Sequence, residues 1–212
     1  MDSTTPASPE QVTRPVPLWV KFGLFALGNA VFFGLLLLGA VPVPQHELSI
    51  WDVVLLLILF VAPFGPLIII HECGHLIAGV LVGFRFQLIV FGPVQITRTI
   101  RGVRIERNRI KPLRGAGVSC PPESEHHLLR NMAIFIAGGP VVTLLVGLVG
   151  MVFVARHLWH QELPFDEAIL LVATTYLALI LTIMALIPTH VEGMASDGDH
   201  LITLLKGGSG AA

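Results

Sequence analysis

The sequence predicts an α-helical multi-pass membrane protein with about four transmembrane helices and a small β-hairpin or meander between the second and third. Hydrophobic residues make up 54% of the 212-residue chain and charged residues only 13%, whereas a soluble domain carries about 25% charged residues. Mean hydropathy is +0.80. Four apolar runs each reach the length of about 20 residues that a membrane-spanning helix needs, and a β-rich, basic stretch separates the second run from the third.

The first predicted span is the apolar run at residues 18–41. Residues 1–17 before it are rich in Ser, Thr and Pro and have no apolar face, which predicts a disordered tail. The run is too long for the apolar core of a cleaved signal peptide. A short polar turn at residues 42–51 follows. The membrane domain is predicted to extend to residue 206, with a flexible tail at residues 207–212.

The second predicted span, residues 52–84, is longer than one crossing requires. Pro63 and Pro66 interrupt it, with a glycine between them. Proline removes a backbone N–H and its ring clashes with the preceding turn, so a kinked or broken helix is expected. Broken helices at membrane depth are tolerated where they line a cavity.

The stretch at residues 85–110 is predicted to be β-structure rather than helix. Strands are expected at residues 86–91, 94–99 and 103–107, because β-favouring residues there are separated by Gly-Pro and Arg-Gly turns. Residues 111–125 carry several Gly and Pro residues and are predicted to be loop. The strand pattern suits a small sheet at the membrane face with exposed edges.

The third and fourth predicted spans are residues 131–155 and 168–188. A short amphipathic segment follows at residues 199–205. Ser196 or Asp197 is suited to cap the N-terminus of that segment, since both residue types accept hydrogen bonds from the first backbone N–H groups of a helix.

Charge placement predicts the orientation in the membrane. Nine of the 13 Lys and Arg residues lie between the second and third spans. The positive-inside rule places that basic loop in the cytoplasm, with both termini and the site described below on the same side of the cell (inner) membrane. The lipid bilayer is thus an expected partner, whereas nucleic acid is not, because no aromatic platform accompanies the basic residues.

The motif His71-Glu72-Cys73-Gly74-His75 ends the apolar part of the second span. Residues i and i+4 of a helix share one face, so His71 and His75 can bind one zinc ion while Glu72 acts as general base. Ionisable residues at membrane depth are costly and point to function. The alternative is a polar helix end just outside the membrane.

A catalytic zinc ion needs a third protein ligand. Five residues near the end of the fourth span qualify by type: His190, Glu192, Asp197, Asp199 and His200. Asp197 is preferred because it follows the fourth span and the adjacent glycine allows close backbone approach. The alternative role for Asp197 is the helix cap mentioned above.

Together these features resemble the site-2 protease family of intramembrane zinc metalloproteases. The resemblance covers roughly residues 53–205 and rests on the histidine motif, the strands around Gly92-Pro93, Gly138-Gly139-Pro140 in the third span, and Asp197-Gly198. It implies that His71, His75 and Asp197 bind Zn²⁺, that Glu72 is the base, and that the β-hairpin guides the substrate.

The chain departs from the family pattern at two places. The family often has Asn-Ala-Gly-Pro where this chain has Ala137-Gly138-Gly139-Pro140, and Asn-Pro or Leu-rich residues where this chain has Met194-Ala195-Ser196. Polar side chains that steady a substrate backbone are therefore absent, and Thr143 is a candidate to replace them in part. Residues 138–140 either expose backbone to the substrate or serve only in helix packing.

The sequence thus predicts a zinc metalloendopeptidase that hydrolyses peptide bonds in or near transmembrane segments of other membrane proteins. An unwound substrate is expected to add as a strand to the sheet near Gln95 and Thr97, and the alternative is a sheet that only covers the site. The rival functions are a membrane zinc-binding or transport protein without hydrolytic activity, and an inactive scaffold that binds transmembrane partners.

Overall fold

A computed structural model describes residues 17–35, 49–108, 116–123, 126–160, 163–191 and 194–207. The predicted N-terminal tail up to residue 16, most of the predicted turn at residues 42–51, and residues 208–212 lie outside the described residues. Glu192 and parts of the predicted loop at residues 111–125 also lie outside them.

The described chain is mostly helical, with one small sheet and one two-stranded ribbon. The helices are α1 Leu18–Leu35, α2 Ile50–Val61, α3 Phe64–Leu81, α4 Leu128–His160, α5 Phe165–Leu186 and α6 Asp197–Gly207. The strands are β1 Leu88–Phe91, β2 Val94–Thr99, β3 Gly102–Arg107, β4 Ala116–Ser119, β5 His190–Val191 and β6 Met194–Ala195.

Three helical stretches of the described chain are long and apolar enough to cross a membrane. They are Ile50–Leu81, Leu128–His160 and Phe165–Leu186, with 32, 33 and 22 residues. The first predicted span is helical from Leu18 to Leu35 but is not one of these three. The count of four spans therefore stays a prediction.

The predicted interruption of the second span is present, because α2 ends at Val61 and α3 begins at Phe64. Pro63 lies between the helices. Pro66 lies in the first turn of α3, where a missing N–H costs no helical hydrogen bond. At the other end of α2, Ser49 and Asp52 form a reciprocal capping box.

Small residues bring α4 close to α3 and α5. A Cβ atom added at Gly74 of α3 would lie 2.5 Å from the carbonyl oxygen of Gly138 in α4. On the other side of α4, a Cβ atom at Gly147 would lie 2.5 Å from Leu179 of α5. Close backbone approach through small residues is how helices pack in a bilayer, where no hydrophobic effect drives them together.

The sheet is antiparallel with strand order β3-β2-β1-β4. The three predicted strands are confirmed, whereas the prediction that residues 111–125 are entirely loop is wrong, since β4 pairs with β1. The sequence Ala-Gly-Val-Ser is too short and too rich in small residues to signal a strand by itself. Because β1 and β2 are both internal, the edges of the sheet are β3 and β4, and the expectation of an open edge at Gln95 and Thr97 is wrong.

Candidate metal centre

Two buried histidines one helical turn apart form the base of the site. His71 and His75 lie on one face of α3, and each is only 7% exposed. Their Nε2 atoms point at each other across 3.3 Å. If both nitrogens carried lone pairs, these would repel each other. A proton or a cation between the two nitrogens relieves this repulsion.

Asp197 brings its carboxylate to both histidines from the first turn of α6. Oδ2 lies 3.0 Å from Nε2 of His71, and Oδ1 lies 3.4 Å from Nε2 of His75. Burial tends to raise the pKa of the Asp197 carboxyl, but the hydrogen bonds from His71 and His75 outweigh burial and hold this pKa at about 2. The carboxylate is therefore ionised at neutral pH, the form that binds metal.

Ser196 and Gly198 explain why Asp197 is free to reach the histidines. The Ser196 hydroxyl accepts a hydrogen bond from the Asp199 N–H at 3.3 Å and donates one to the Ile187 carbonyl at 2.8 Å. Ser196 thus caps α6 and ties it to the end of α5. A Cβ atom at Gly198 would collide with the carbonyl oxygen of Leu186, so glycine is needed for this close approach.

The three side chains fit a metal ion. Their ligand atoms all lie within 4.8 Å of one another, and among the described residues no other group of three His, Cys, Asp or Glu side chains does so. Ligands about 2.0–2.1 Å from a tetrahedral zinc ion lie about 3.3–3.4 Å apart. The observed separations of 3.0, 3.3 and 3.4 Å are close to this spacing, although the first and the last involve different oxygens of Asp197.

A backbone carbonyl orients His75. Its Nδ1 lies 3.0 Å from the carbonyl oxygen of Phe135 in α4, to which it can donate. With a metal bound, a ring proton on Nδ1 would donate to this carbonyl and leave Nε2 as the ligand. The Gly139 N–H lies 3.4 Å from the same Nδ1. His71 differs, because its buried Nδ1 has no hydrogen-bond partner among the described residues.

Gly139 lies against the ligand atoms themselves. A Cβ atom at this position would lie 2.7 Å from Nε2 of His71 and would collide with Nε2 of His75. The glycine pair at 138 and 139 therefore serves two purposes: Gly138 packs α4 on α3, and Gly139 leaves room for the metal site.

Glu72 shares a cavity of about 350 Å³ with the three ligands. Ile136 of α4 and residues 116–118 of β4 also line it. Glu72 is not one of the residues whose ligand atoms converge.

The other candidate ligands take different places. His200 lines the cavity but does not join the ligand group, and Asp199 is likewise outside that group. The side chain of His190 and the whole of Glu192 lie outside the described parts of the structure.

The predicted substrate contacts are spread over the fold. Thr143 is fully buried, and its hydroxyl lies within hydrogen-bond distance of the Gly139 carbonyl and of Thr182 on α5. Pro140 is buried in α4. Gln95 and Thr97 lie on the internal strand β2, where the Gln95 amide donates to the Thr97 hydroxyl.

Sequence reasoning missed two contributors to the site. The strand β4 has no alternating pattern to identify it. The Phe135 carbonyl has no signal in the sequence at all, because every residue carries one and only tertiary packing selects it.

Comparison of the chain with protein-family models, curated proteins and solved structures gives no match. The chemistry of the site therefore carries the functional interpretation.

Proposed function

We propose that this chain is an intramembrane zinc metalloprotease similar to the site-2 proteases, acting on transmembrane segments of other proteins. One observation carries the proposal. Two histidines and an aspartate from distant segments converge within hydrogen-bond distances. The histidines lie midway along the apolar helix α3, and Glu72 lines the same cavity.

The donor set supports zinc as the metal. Two neutral imidazoles and one carboxylate, with the fourth position open, are a pattern of catalytic zinc sites. When bound there, zinc polarises a scissile carbonyl and lowers the pKa of the attacking water.

Glu72 takes a proton from the attacking water and passes it to the leaving amine. The hydrogen bond from His75 to the Phe135 carbonyl keeps the ligand nitrogen aimed at the site during this transfer. The substrate helix has to unwind first, because a helix hides its peptide bonds in its own hydrogen bonds.

Strand β4 is positioned to hold the unwound substrate. It is an edge strand, and residues 116–118 line the cavity beside the ligands. The Ser119 carbonyl accepts from the Gln87 N–H on the β1 side. Because backbone groups alternate along a strand, the groups of Val118 point to the opposite, open side, where an extended chain can pair with them.

The test of the proposed function separates metal binding from hydrolysis. The full chain is reconstituted in lipid vesicles with candidate single-span substrates, and zinc content and peptide cleavage are measured. Glu72→Gln is expected to keep zinc and lose cleavage, because Glu72 is not a ligand. His71→Ala and His75→Ala are expected to lose both.

Two outcomes would reject the proposal. Cleavage by Glu72→Gln at the wild-type rate would remove the hydrolytic mechanism. A zinc-loaded wild-type protein that cleaves no substrate in a broad set would favour a metal-binding or scaffold protein instead.

A further inference from the structure

The hairpin formed by β2 and β3 has one face that combines apolar and basic residues. The strand register places these side chains together: Val94, Ile96, Arg98, Val103, Ile105 and Arg107. Val103 and Ile105 are 66% and 70% exposed. The opposite face carries polar side chains, including Gln95, Thr97 and Glu106. Apolar side chains on this face are therefore not covered by the described residues, and their exposure to water is unfavourable.

The tip of the hairpin adds a second observation. Ile100 and Arg101 form its turn, and the Ile100 side chain is fully exposed. Turn positions usually hold Gly, Asn, Asp or Ser. The turn itself is already stabilised by Gly102, whose φ is 122°, and by the hydrogen bond from the Thr99 hydroxyl to the Gly102 carbonyl. The hairpin does not need isoleucine there to fold.

The arginines of this face have no acidic partners. On the opposite face Arg104 pairs with Glu106. Among the described residues, Arg98 and Arg107 of this face and Arg101 of the turn form no such pair, and the face holds no Asp or Glu. Unpaired guanidinium groups beside exposed apolar side chains are complementary to anionic headgroups above a hydrocarbon layer.

The position of the sheet along the helix bundle is compatible with contact to a lipid surface. The last turn of α3 exposes Val80 and Leu81, and the first turn of α4 exposes Leu129. The apolar outer surface of the helices therefore continues to the end from which the sheet extends. Only six residues separate Leu81 from the start of β1 at Leu88, so the sheet begins close to this end of the helices.

We propose that the β2–β3 hairpin lies in the interface of an anionic lipid leaflet. Ile100, Val103 and Ile105 enter the apolar layer, while Arg98, Arg101 and Arg107 bind phosphate headgroups. Long arginine side chains can do so because their stems lie along apolar surface while the charged ends stay at the interface. This anchoring is independent of the proposed hydrolytic chemistry.

The test measures where the hairpin tip lies in lipid. The full chain, with Cys73→Ala and Cys120→Ala, carries an environment-sensitive fluorophore at Ile100→Cys or, on the polar face, at Glu106→Cys. It is reconstituted in nanodiscs of phosphatidylcholine with or without phosphatidylglycerol. The label at position 100 is expected to shift to the blue and to be quenched by brominated lipid as the anionic fraction rises, whereas the label at position 106 is expected to stay in water.

A pair of matched variants tests the arginines. Arg98→Gln with Arg107→Gln removes two charges from the lipid-facing side, while Arg85→Gln with Arg104→Gln removes two that are paired with Glu123 and Glu106. The first pair is expected to weaken the lipid response by up to roughly fivefold per arginine, the fold-change equivalent of about 1 kcal/mol. The second pair is expected to leave it nearly unchanged.

Three outcomes would overturn the proposal. The label at position 100 could remain in water at every lipid composition. It could be shielded but unquenched by brominated lipid, which would show that protein covers the hairpin. Both double variants could respond alike, which would show that net charge alone matters.

Discussion

Gly139 shows how the absence of one side chain sets the metal centre. A methyl group there would occupy the space of the two ligand nitrogens. We expect Gly139→Ala to reduce zinc content to near the level of a histidine ligand variant while the helices still form. Metal analysis of the purified protein, with circular dichroism for helix content, measures this.

Gly65 provides the matched control. It lies in the first turn of α3, and a Cβ atom there would meet nothing within 4 Å. Gly65→Ala removes a flexible residue from the same helix as the ligands, so it is expected to keep zinc. Equal zinc content in both variants would show that Gly139 does not define the site.

The Asp197 carboxylate gives the metal-free protein a predictable pH dependence. Its pKa falls from 3.8 in the absence of interactions to about 2 in the fold. A carboxyl group with a lowered pKa stabilises the folded state at pH values above its ordinary pKa. This stabilisation is lost as pH falls through about 2. We expect the stability difference between wild type and Asp197→Asn to shrink as pH falls from about 4 to about 2.

Denaturant unfolding of the chelator-treated protein in detergent, repeated across this pH range, measures that difference. A difference that disappeared already near pH 6 would show that the Asp197 carboxylate is not held in its ionised form by the histidines.

At the level of elements, the sequence predicted what periodicity and residue type control. The break at Pro63, the strands β1 to β3 and the helical segment after Ser196 all follow from local rules. Local rules did not decide whether Ser196 or Asp197 caps α6, because both residue types are suited to cap a helix. Packing of Gly198 on Leu186 fixes that choice by fixing where α6 begins.

The position of β4 could not be predicted for a different reason. Residues 92–115, 24 residues, separate β4 from its partner β1, and the register pairs Leu88 with Ser119 and Phe91 with Ala116. Non-local pairing leaves no local pattern in a strand of four small or short side chains. Pairing with β4 makes β1 an internal strand, so the open edges of the sheet are β3 and β4.

Proline at Val118 tests the edge of β4. Its outward N–H is lost while pairing with β1 is kept, because proline is tolerated on an edge strand when its missing N–H faces away from the sheet. Loss of one substrate hydrogen bond is worth about 1–1.5 kcal/mol, so cleavage is expected to fall about tenfold with zinc content unchanged. Cleavage in reconstituted vesicles and metal analysis measure the two effects.

Val118→Ala is the control for that experiment, since it shortens the side chain but keeps the N–H. It is expected to cleave at close to the wild-type rate. If Val118→Pro and Val118→Ala cleave equally fast, the substrate does not pair with this edge.

In the whole molecule, the two ends of the three membrane-length helices carry different structural elements. The sheet and the start of α6 lie where α3 and α5 end and α4 begins, and the candidate metal ligands lie in the half of the bundle toward that end. The start of α2 and the turn between α4 and α5 lie at the other end, where Ala168 and Ile169 pack with Leu56 and Leu59. Bringing Asp197 to His71 thus depends on the antiparallel course of α3, α4 and α5.

The orientation of this bundle follows from its charges. The end that carries the sheet holds a cluster of arginines, whereas the start of α2 and the start of α5 carry Asp52, Asp166 and Glu167. The positive-inside rule predicts that the sheet and the candidate metal centre face the cytoplasm, whether or not α1 also crosses. We expect a membrane-impermeant thiol reagent applied outside intact cells to label His160→Cys but not Glu106→Cys, in a Cys73→Ala and Cys120→Ala background. Both positions should react once the membrane is permeabilised, which controls for accessibility. Labelling of position 106 from outside would reverse the orientation and would put the metal centre on the opposite side of the membrane.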